Sequence, residues 1–312
     1  MARTAPPAGT VAGSTGGRKR RIPLSGDFRT ALIFLLPATI GLVVFYVIPA
    51  IRGFYFSFTD YSVLQPPRWV GGENYARLVS DPLFWNALWV TIYYVVLNIG
   101  FQTIIAIGLA MLMHRLTKST LIRGMALLPY FIANVVIALV WYFMMDYEIG
   151  IVNIVLEAIP GFDRVAFFGE SMWAIPTVAF INIWRHMGYT ALLLFAGLQT
   201  ISPSLYEAAS LDGASETRQF FSVTLPSLRP VLAMVLVVTV TGSFQIFDTI
   251  AVTTKGGPVN ATRVLYFYIY DLAFGQLDFG YASALAIVLF AILMIAAVVQ
   301  LKLMRADESD EL

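Results

Sequence analysis

SPSLYEAASLDGASETRQFFSVTLPSLRP, residues 202–230, is the one long polar segment between hydrophobic runs that reads as two short helices. Ser204-Leu205-Tyr206-Glu207 has capping-box spacing, in which a serine and a glutamate three residues later satisfy the free amides of a helix start. Pro203 fits the first helical position after a Ser202 cap equally well. The first helix is expected to stop at Gly213, because glycine enters the left-handed terminating turn at least cost. A second short helix is expected over residues 214–221, with Leu225-Pro226 leading into the next apolar run. Ala208, Ala209 and Ala214 carry little bulk, so another protein surface could approach this backbone closely. Glu207, Asp212 and Glu216 add charges that could orient it.

The rest of the chain supplies a membrane context for this segment. Of 312 residues, 58% are hydrophobic and 12% charged, with a mean hydropathy of +0.75. Soluble domains carry about 25% charged residues, so the composition is that of an integral membrane protein. The net charge of +1 gives no sign of nucleic-acid binding. With no cysteine, disulfides and thiolate chemistry are excluded. His114 and His186 stand far apart in sequence and read as boundary or packing residues; no metal site is expected.

Residues 1–28 are rich in Gly, Ala, Pro, Ser and Thr and hold the cluster Arg18-Lys19-Arg20-Arg21, which fits a disordered basic tail. The apolar run 31–51 is a full span in length and longer than a signal-peptide core. Further spans are expected over 84–113, 121–145, 172–198, 231–252 and 281–301. This divides the chain into an N-tail (1–28), a first span with its external loop (29–83), a five-helix core holding the polar loop (84–301) and a C-tail (302–312). Residues 253–280 read as a turn-rich loop. Of the 20 Lys and Arg, thirteen fall on the side of the N-terminus, six on the other, and Arg185 inside a span. Positive charge accumulates in the cytoplasm, so both termini and the 202–230 loop are expected inside.

Polar residues inside the spans should face the bundle interior or a water-filled path. These are Asn98 and Gln102, four apart on one helix face, Asn134 and Trp141, then Asn182, Trp184, Arg185 and Tyr189, and finally Gln245 and Asp248 beside Phe244. They have two readings. They could line a cavity for a hydroxylated solute, with Trp141, Trp184 or Phe244 stacking on it, or they could bond helix to helix. The chain has no phosphate-binding loop of the G-x-x-x-x-G-K-[ST] type and no enzyme active site.

The Glu207-Ala208-Ala209, Asp212-Gly213-Ala214 and Leu225-Pro226 stretches resemble the "EAA" loop of binding-protein-dependent ABC importer permeases. Phe54-Tyr55-Phe56-Ser57-Phe58, Trp141 with Gly150 and Asn153, Ala196-Gly197-Leu198-Gln199, and Phe244-Gln245-Ile246-Phe247-Asp248 before Gly256-Gly257-Pro258 make the likeness closest to the maltose-type carbohydrate permeases. It covers residues 29 to the end. The resemblance implies an all-α membrane protein of the type I importer fold, with six transmembrane helices and cytoplasmic coupling helices, in the bacterial cytoplasmic membrane. It implies coupling through Tyr206, Glu207, Ala208, Ala209, Asp212, Gly213, Ala214, Phe220, Leu225 and Pro226. It also implies a second homologous permease, two ATPase subunits, an extracytoplasmic solute-binding protein and a carbohydrate substrate. ATP and magnesium would be held by the ATPase, with no cofactor in this chain. The competing function is a stand-alone secondary transporter or channel, for which Asp248 is the only intramembrane carboxylate on offer.

Overall fold

A computed structural model describes residues 24–116 and 119–308. The basic cluster of residues 18–21, Lys118 and residues 309–312 lie outside them. The chain divides into two units at Arg52/Gly53.

In the first unit, α1 (Leu24–Leu42) passes through a π-helical turn (Val43–Val47) into α2 (Ile48–Phe56). The helix begins five residues inside the segment expected to be tail. Its large apolar side chains are exposed, as a helix facing lipid requires.

The second unit comprises α3 (Glu73–Ser80), α4 (Pro82–Leu116), α5 (Thr120–Phe131), α6 (Asn134–Met144), α7 (Ile151–Glu157), α8 (Ser171–Leu198), α9 (Pro203–Leu211), α10 (Glu216–Gln219), α11 (Leu225–Phe244), α12 (Asp248–Val252), α13 (Leu265–Tyr270) and α14 (Phe279–Glu308). Four segments are long and apolar enough to cross a membrane: Thr30–Phe56, Pro82–Arg115, Glu216–Val252 and Phe279–Lys302; α5 with α6 makes a fifth if the bent pair is one span. Six were expected from the sequence. The remaining one, α8, is 28 residues long, but Asn182, Arg185 and His186 dilute its apolar character.

Three expectations are corrected. The run 121–145 is not one straight helix: α5 and α6 meet at 92°. Pro129 sits one turn before the break, and a proline removes a helical hydrogen bond. The run 231–252 is interrupted at residues 245–247, between α11 and α12. The loop 253–280 contains α13 and a π-helical turn (Asp271–Gly275); Leu265, Phe267, Tyr268 and Leu272 are buried there, and apolar burial overrides the turn-forming residues around them.

α4 and α8 run along each other and carry two apolar cores, one above the other. The first joins Phe84, Tyr94 and Val95 of α4 to Ile175 and Val178 of α8 and to Ile250, Leu265, Tyr281 and Leu285. The second joins Ala106, Ala110 and Met113 of α4 to Ala191, Leu194 and Leu198 of α8 and to Leu228 and Val235 of α11. α5 closes on α8 at Gly188, where a Cβ would collide with the Ala126 carbonyl, so only glycine permits this approach.

The loop 53–83 belongs to the second unit rather than standing with the first span, and a reciprocal clasp ties its end to the rest of that unit. Asp81 Oδ1 caps α4 by accepting from the Leu83 amide (2.8 Å), while Oδ2 accepts from the hydroxyls of Tyr268 and Tyr281, 2.7 Å each. Asp278 caps α14 at the Tyr281 amide (3.1 Å) and pairs with Arg77 at 2.7 Å. The Arg77 guanidinium lies 3.8 Å from the centre of the Tyr281 ring. Each capping aspartate is thus tied to the neighbour of the other. Burial alone would raise the Asp81 pKa, but the hydrogen bonds from Tyr281, Tyr268 and the Leu83 and Phe84 amides outweigh it and hold it below the usual value of 3.8.

A group with a lowered folded pKa stabilises above its ordinary pKa and loses that contribution as pH falls through the lowered value. Asp81→Ala should therefore cost about 1–2 kcal/mol near neutral pH, allowing for solvent screening. In thermal unfolding of the detergent-solubilised protein, the gap to the parent should close as pH drops through and below 3.8. A gap that is absent at neutral pH would show that the clasp carries no stability.

Candidate functional site

The loop 202–224 is built as two capped helices. Pro203 occupies the first turn of α9 after Ser202, and no side chain caps that start. The capping box at Ser204 is not formed; the Ser204 hydroxyl instead meets the Ser202 hydroxyl at 2.8 Å. Glu207 is therefore left exposed, with no hydrogen bond or ion pair among the described residues. At the other end Gly213 takes a φ of +75°. The Ala214 amide reaches back to the Ala209 carbonyl (2.9 Å) and the Gly213 amide to the Ser210 carbonyl (3.0 Å). This is the double bond pattern that ends helices at glycine, and it settles the orphan carbonyls of α9.

The second helix begins later than expected and does not end at 221. Ser215 caps α10 by accepting from the Arg218 amide at 3.4 Å. The helix then passes through a π-helical turn (Phe220–Thr224) directly into α11. Pro226 and Pro230 lack amides and donate no helical hydrogen bond. The segment is thus the cytoplasm-side start, by expectation, of the long helix that ends at Phe244.

One contact fastens this segment to α4 and two brace it internally. Glu216 pairs with Arg115 at the end of α4 (2.7 Å), Tyr206 shares a hydrogen bond with Thr224 (2.9 Å), and Gln219 donates to the Ala214 carbonyl (3.1 Å). They surround a cavity of about 220 Å³ that Phe220 and Leu198 also line. On the other side Glu207, Ala208, Asp212 and Gly213 are exposed. Leu211 is 90% exposed and Phe221 62%. Ala209, Ala214, Leu225 and Pro226 are half-buried.

The intramembrane residues fall into two groups. Asn98, Gln102 and Asn182 are buried and spend their amides on one another. Asn98 donates to Gln102 (3.2 Å) and to the Ser243 hydroxyl (2.8 Å), Asn182 donates to Asn98 (2.9 Å), and Gln102 donates to Thr190 (2.9 Å). This ladder joins α4, α8 and α11 at the level between the two apolar cores. Thr190 was not singled out from the sequence; its signal is the four-residue step from His186, which places both on one side of α8.

The second group gathers at the two helix breaks. Asn134 opens α6, Asp248 opens α12, and the Asn134 amide donates to the Asp248 carboxylate at 3.1 Å. Trp141 of α6 meets Trp184 edge-on at 5.5 Å and Phe180 at 4.9 Å. Gln245 is exposed in the second break. Phe244 is 9% exposed within the first apolar core, so the expectation that it stacks on a solute is corrected. Asn182, Arg185 and Tyr189 share a helix face but not a neighbour: Asn182 turns to α4, whereas Arg185 and Tyr189 turn to α5. The Tyr189 ring stacks on Tyr130 at 4.4 Å, a partner the sequence reading missed. A charge in mid-bilayer costs about 2.5–3.5 kcal/mol on insertion scales, so Arg185 needs partners. It finds them in the Tyr130 and Ile132 carbonyls and in His186.

Residues 102–305 match the family described as "Binding-protein-dependent transport system inner membrane component", and the chain belongs to it. It is 35% identical to the sulfoquinovosyl glycerol transport system permease protein SmoG of Agrobacterium fabrum, covering 91% of this chain and 92% of that one. It is 32% identical to the trehalose/maltose transport system permease protein MalF of Thermococcus litoralis, covering 89% and 95%. Among solved structures, a bacterial ABC transporter involved in import of the acidic polysaccharide alginate superposes with a TM-score of 0.80 at 25% identity, over 91% of this chain and 97% of that one. The same transporter in complex with an alginate pentasaccharide-bound periplasmic protein gives 0.78. The chain is therefore a permease subunit of the binding-protein-dependent ABC importer type.

Asn98→Leu removes three hydrogen bonds from the ladder and is expected to lower stability by about 2 kcal/mol, since such bonds average roughly 0.6 kcal/mol each in membranes. The measurement is the melting temperature of the detergent-solubilised protein, which should fall by several degrees; an unchanged value would show that the ladder adds nothing.

Proposed function

We propose that this chain forms half of the solute pathway of an ATP-driven carbohydrate importer, and that residues 203–221 couple it to an ATPase made by another gene. The observation that carries the reading is the α9–α10 segment, with unpaired Glu207, small Ala208 and a bare Leu211 beside a glycine-terminated turn. These features fit insertion into a groove on a partner. The excess of Lys and Arg on the N-terminal side supports placing this segment and both termini in the cytoplasm, where ATP is available.

The working assembly on this reading has two permeases of this type, two ATPase subunits that bind ATP and magnesium, and an extracytoplasmic binding protein that meets the short external loops. The substrate class rests on relatives named for sulfoquinovosyl glycerol and for trehalose/maltose, and on a structural neighbour named for alginate. Sugar rings offer apolar faces and hydroxyl edges. Trp141 and Trp184, with Gln245, Asn134 and Asp248 at the breaks, supply complementary groups. Asn98, Gln102 and Asn182 act as interhelical bonds.

Transport is alternating access. Closure of the ATPase dimer moves the groove that holds the α9–α10 segment. The Arg115–Glu216 pair and the continuity of α10 with α11 pass that motion into α4 and α11. Nucleotide shifts the equilibrium only by its different affinity for the two arrangements.

Gly213→Val puts a β-branched side chain at a φ of +75°, a conformation costing about 1–3 kcal/mol. ATP-dependent uptake should fall at least about tenfold, with membrane insertion kept. The checks are solute uptake in proteoliposomes and the amount of ATPase subunit retained on purification. Normal uptake by this variant would contradict the coupling role.

A further inference from the structure

We infer that Arg185 is a positioning residue that holds the α5–α6 corner shut, and is not a receptor for acidic solute. The inference deepens the importer reading and rests on it for its transport consequences.

At the 92° corner, α5 ends in carbonyls with no helical amide to accept from, and the helix dipole adds negative character to that end. Arg185 reaches across from α8 to this end. Its Nη2 donates to the Tyr130 carbonyl (3.1 Å) and the Ile132 carbonyl (3.3 Å), and its Nε donates to Ile132 as well (3.3 Å). The planar guanidinium suits two carbonyls of one turn in a way that an ammonium does not.

The remaining side of the guanidinium is held too. Nη1 lies 2.9 Å from His186 Nε2. Arginine has no acceptor, so Nε2 must accept and the imidazole proton must sit on Nδ1. From there it is donated to the Asn182 carbonyl at 2.9 Å. Histidine is thus neutral in this arrangement and steers the arginine along α8 towards α5. Tyr130, stacked on Tyr189 at 4.4 Å, fixes the same turn from its side chain.

Past the corner, α6 is pinned at Asn134 to Asp248 and carries Trp141 against Trp184. The cap therefore sets where α6 leaves the corner, and with it Asn134 and Trp141. None of the partners of Arg185 is a carboxylate among the described residues, and four of its five N–H donors are given to carbonyls and imidazole. Its charge serves the backbone.

The chain has no cysteine, so spin labels can be placed at will. Leu121→Cys with Phe143→Cys spans the corner; Ile104→Cys with Ala196→Cys, both exposed and away from α6, spans α4 and α8 as a control. Arg185→Ala should broaden the distance distribution of the first pair and leave the second unchanged, with Arg185→Lys in between. In the reconstituted complex with its binding protein, Arg185→Ala should lower the maximal uptake rate about tenfold, the scale of a misplaced site. The half-saturating concentration should stay within about twofold, and neutral and acidic sugars should lose rate alike. An unchanged corner with selective loss of acidic sugars would overturn the inference, as would unchanged distances and rates together. If the parental complex itself moves no sugar with ATP, the importer reading fails, while the distance measurement still judges Arg185.

Discussion

Backbone and side-chain polar groups that leave water for the bilayer need partners within the protein, and much of the second unit of this chain is arranged around that requirement, the buried Tyr94 and Thr249 hydroxyls being exceptions. Straight apolar helices meet it through their own backbones. The two broken runs do not, and each break has acquired a side chain from elsewhere: Arg185 at the end of α5 and Asp248 beside Asn134 at the starts of α12 and α6. The Asn98–Gln102–Asn182 ladder obeys the same rule between the two apolar cores. Polar residues here are costly to bury singly and inexpensive in closed sets, which fixes helix register more sharply than apolar packing alone.

The same accounting gives the opposite result at the α9–α10 segment. The end of α9 is settled by the Gly213 turn and the start of α10 by the Ser215 cap. The segment's side chains are not settled. Glu207 is free and Leu211 almost bare. A segment that leaves its outer face unmatched is suited to carry force between two proteins. Its inner face is fastened to α4 by Arg115 and Glu216 and is continuous with α11, so displacement of the segment must displace those helices. The clasp of Asp81 and Asp278 ties α3, α4, α13 and α14 together at the opposite end.

Much of this was legible in the sequence. Hydropathy placed the apolar runs, and Pro203 and Gly213 marked where the first short helix of 202–230 begins and ends. What the sequence did not carry were the consequences of tertiary pairing. Pro129 signals trouble in a helix, but the size of the bend depends on Arg185 arriving from a residue far along the chain. The capping-box spacing at Ser204 lost to Pro203, which needs no amide partner, and the loss freed Glu207. Periodicity put Asn182, Arg185 and Tyr189 on one face without revealing that one face of α8 meets two different helices. The aspartate clasp joins residues about two hundred positions apart, beyond any local pattern.

The account stands on the α9–α10 segment meeting a nucleotide-hydrolysing subunit inside the cell. The absence of cysteine permits a direct test: Ala208→Cys, exposed on that segment, is paired with a single cysteine in the partner ATPase and oxidised in membranes. The account predicts an intermolecular disulfide whose yield changes with ATP, together with protection of the cysteine from impermeant reagents added outside intact cells. Labelling from the outside, or no adduct with any ATPase position in an assembly that transports, would contradict it.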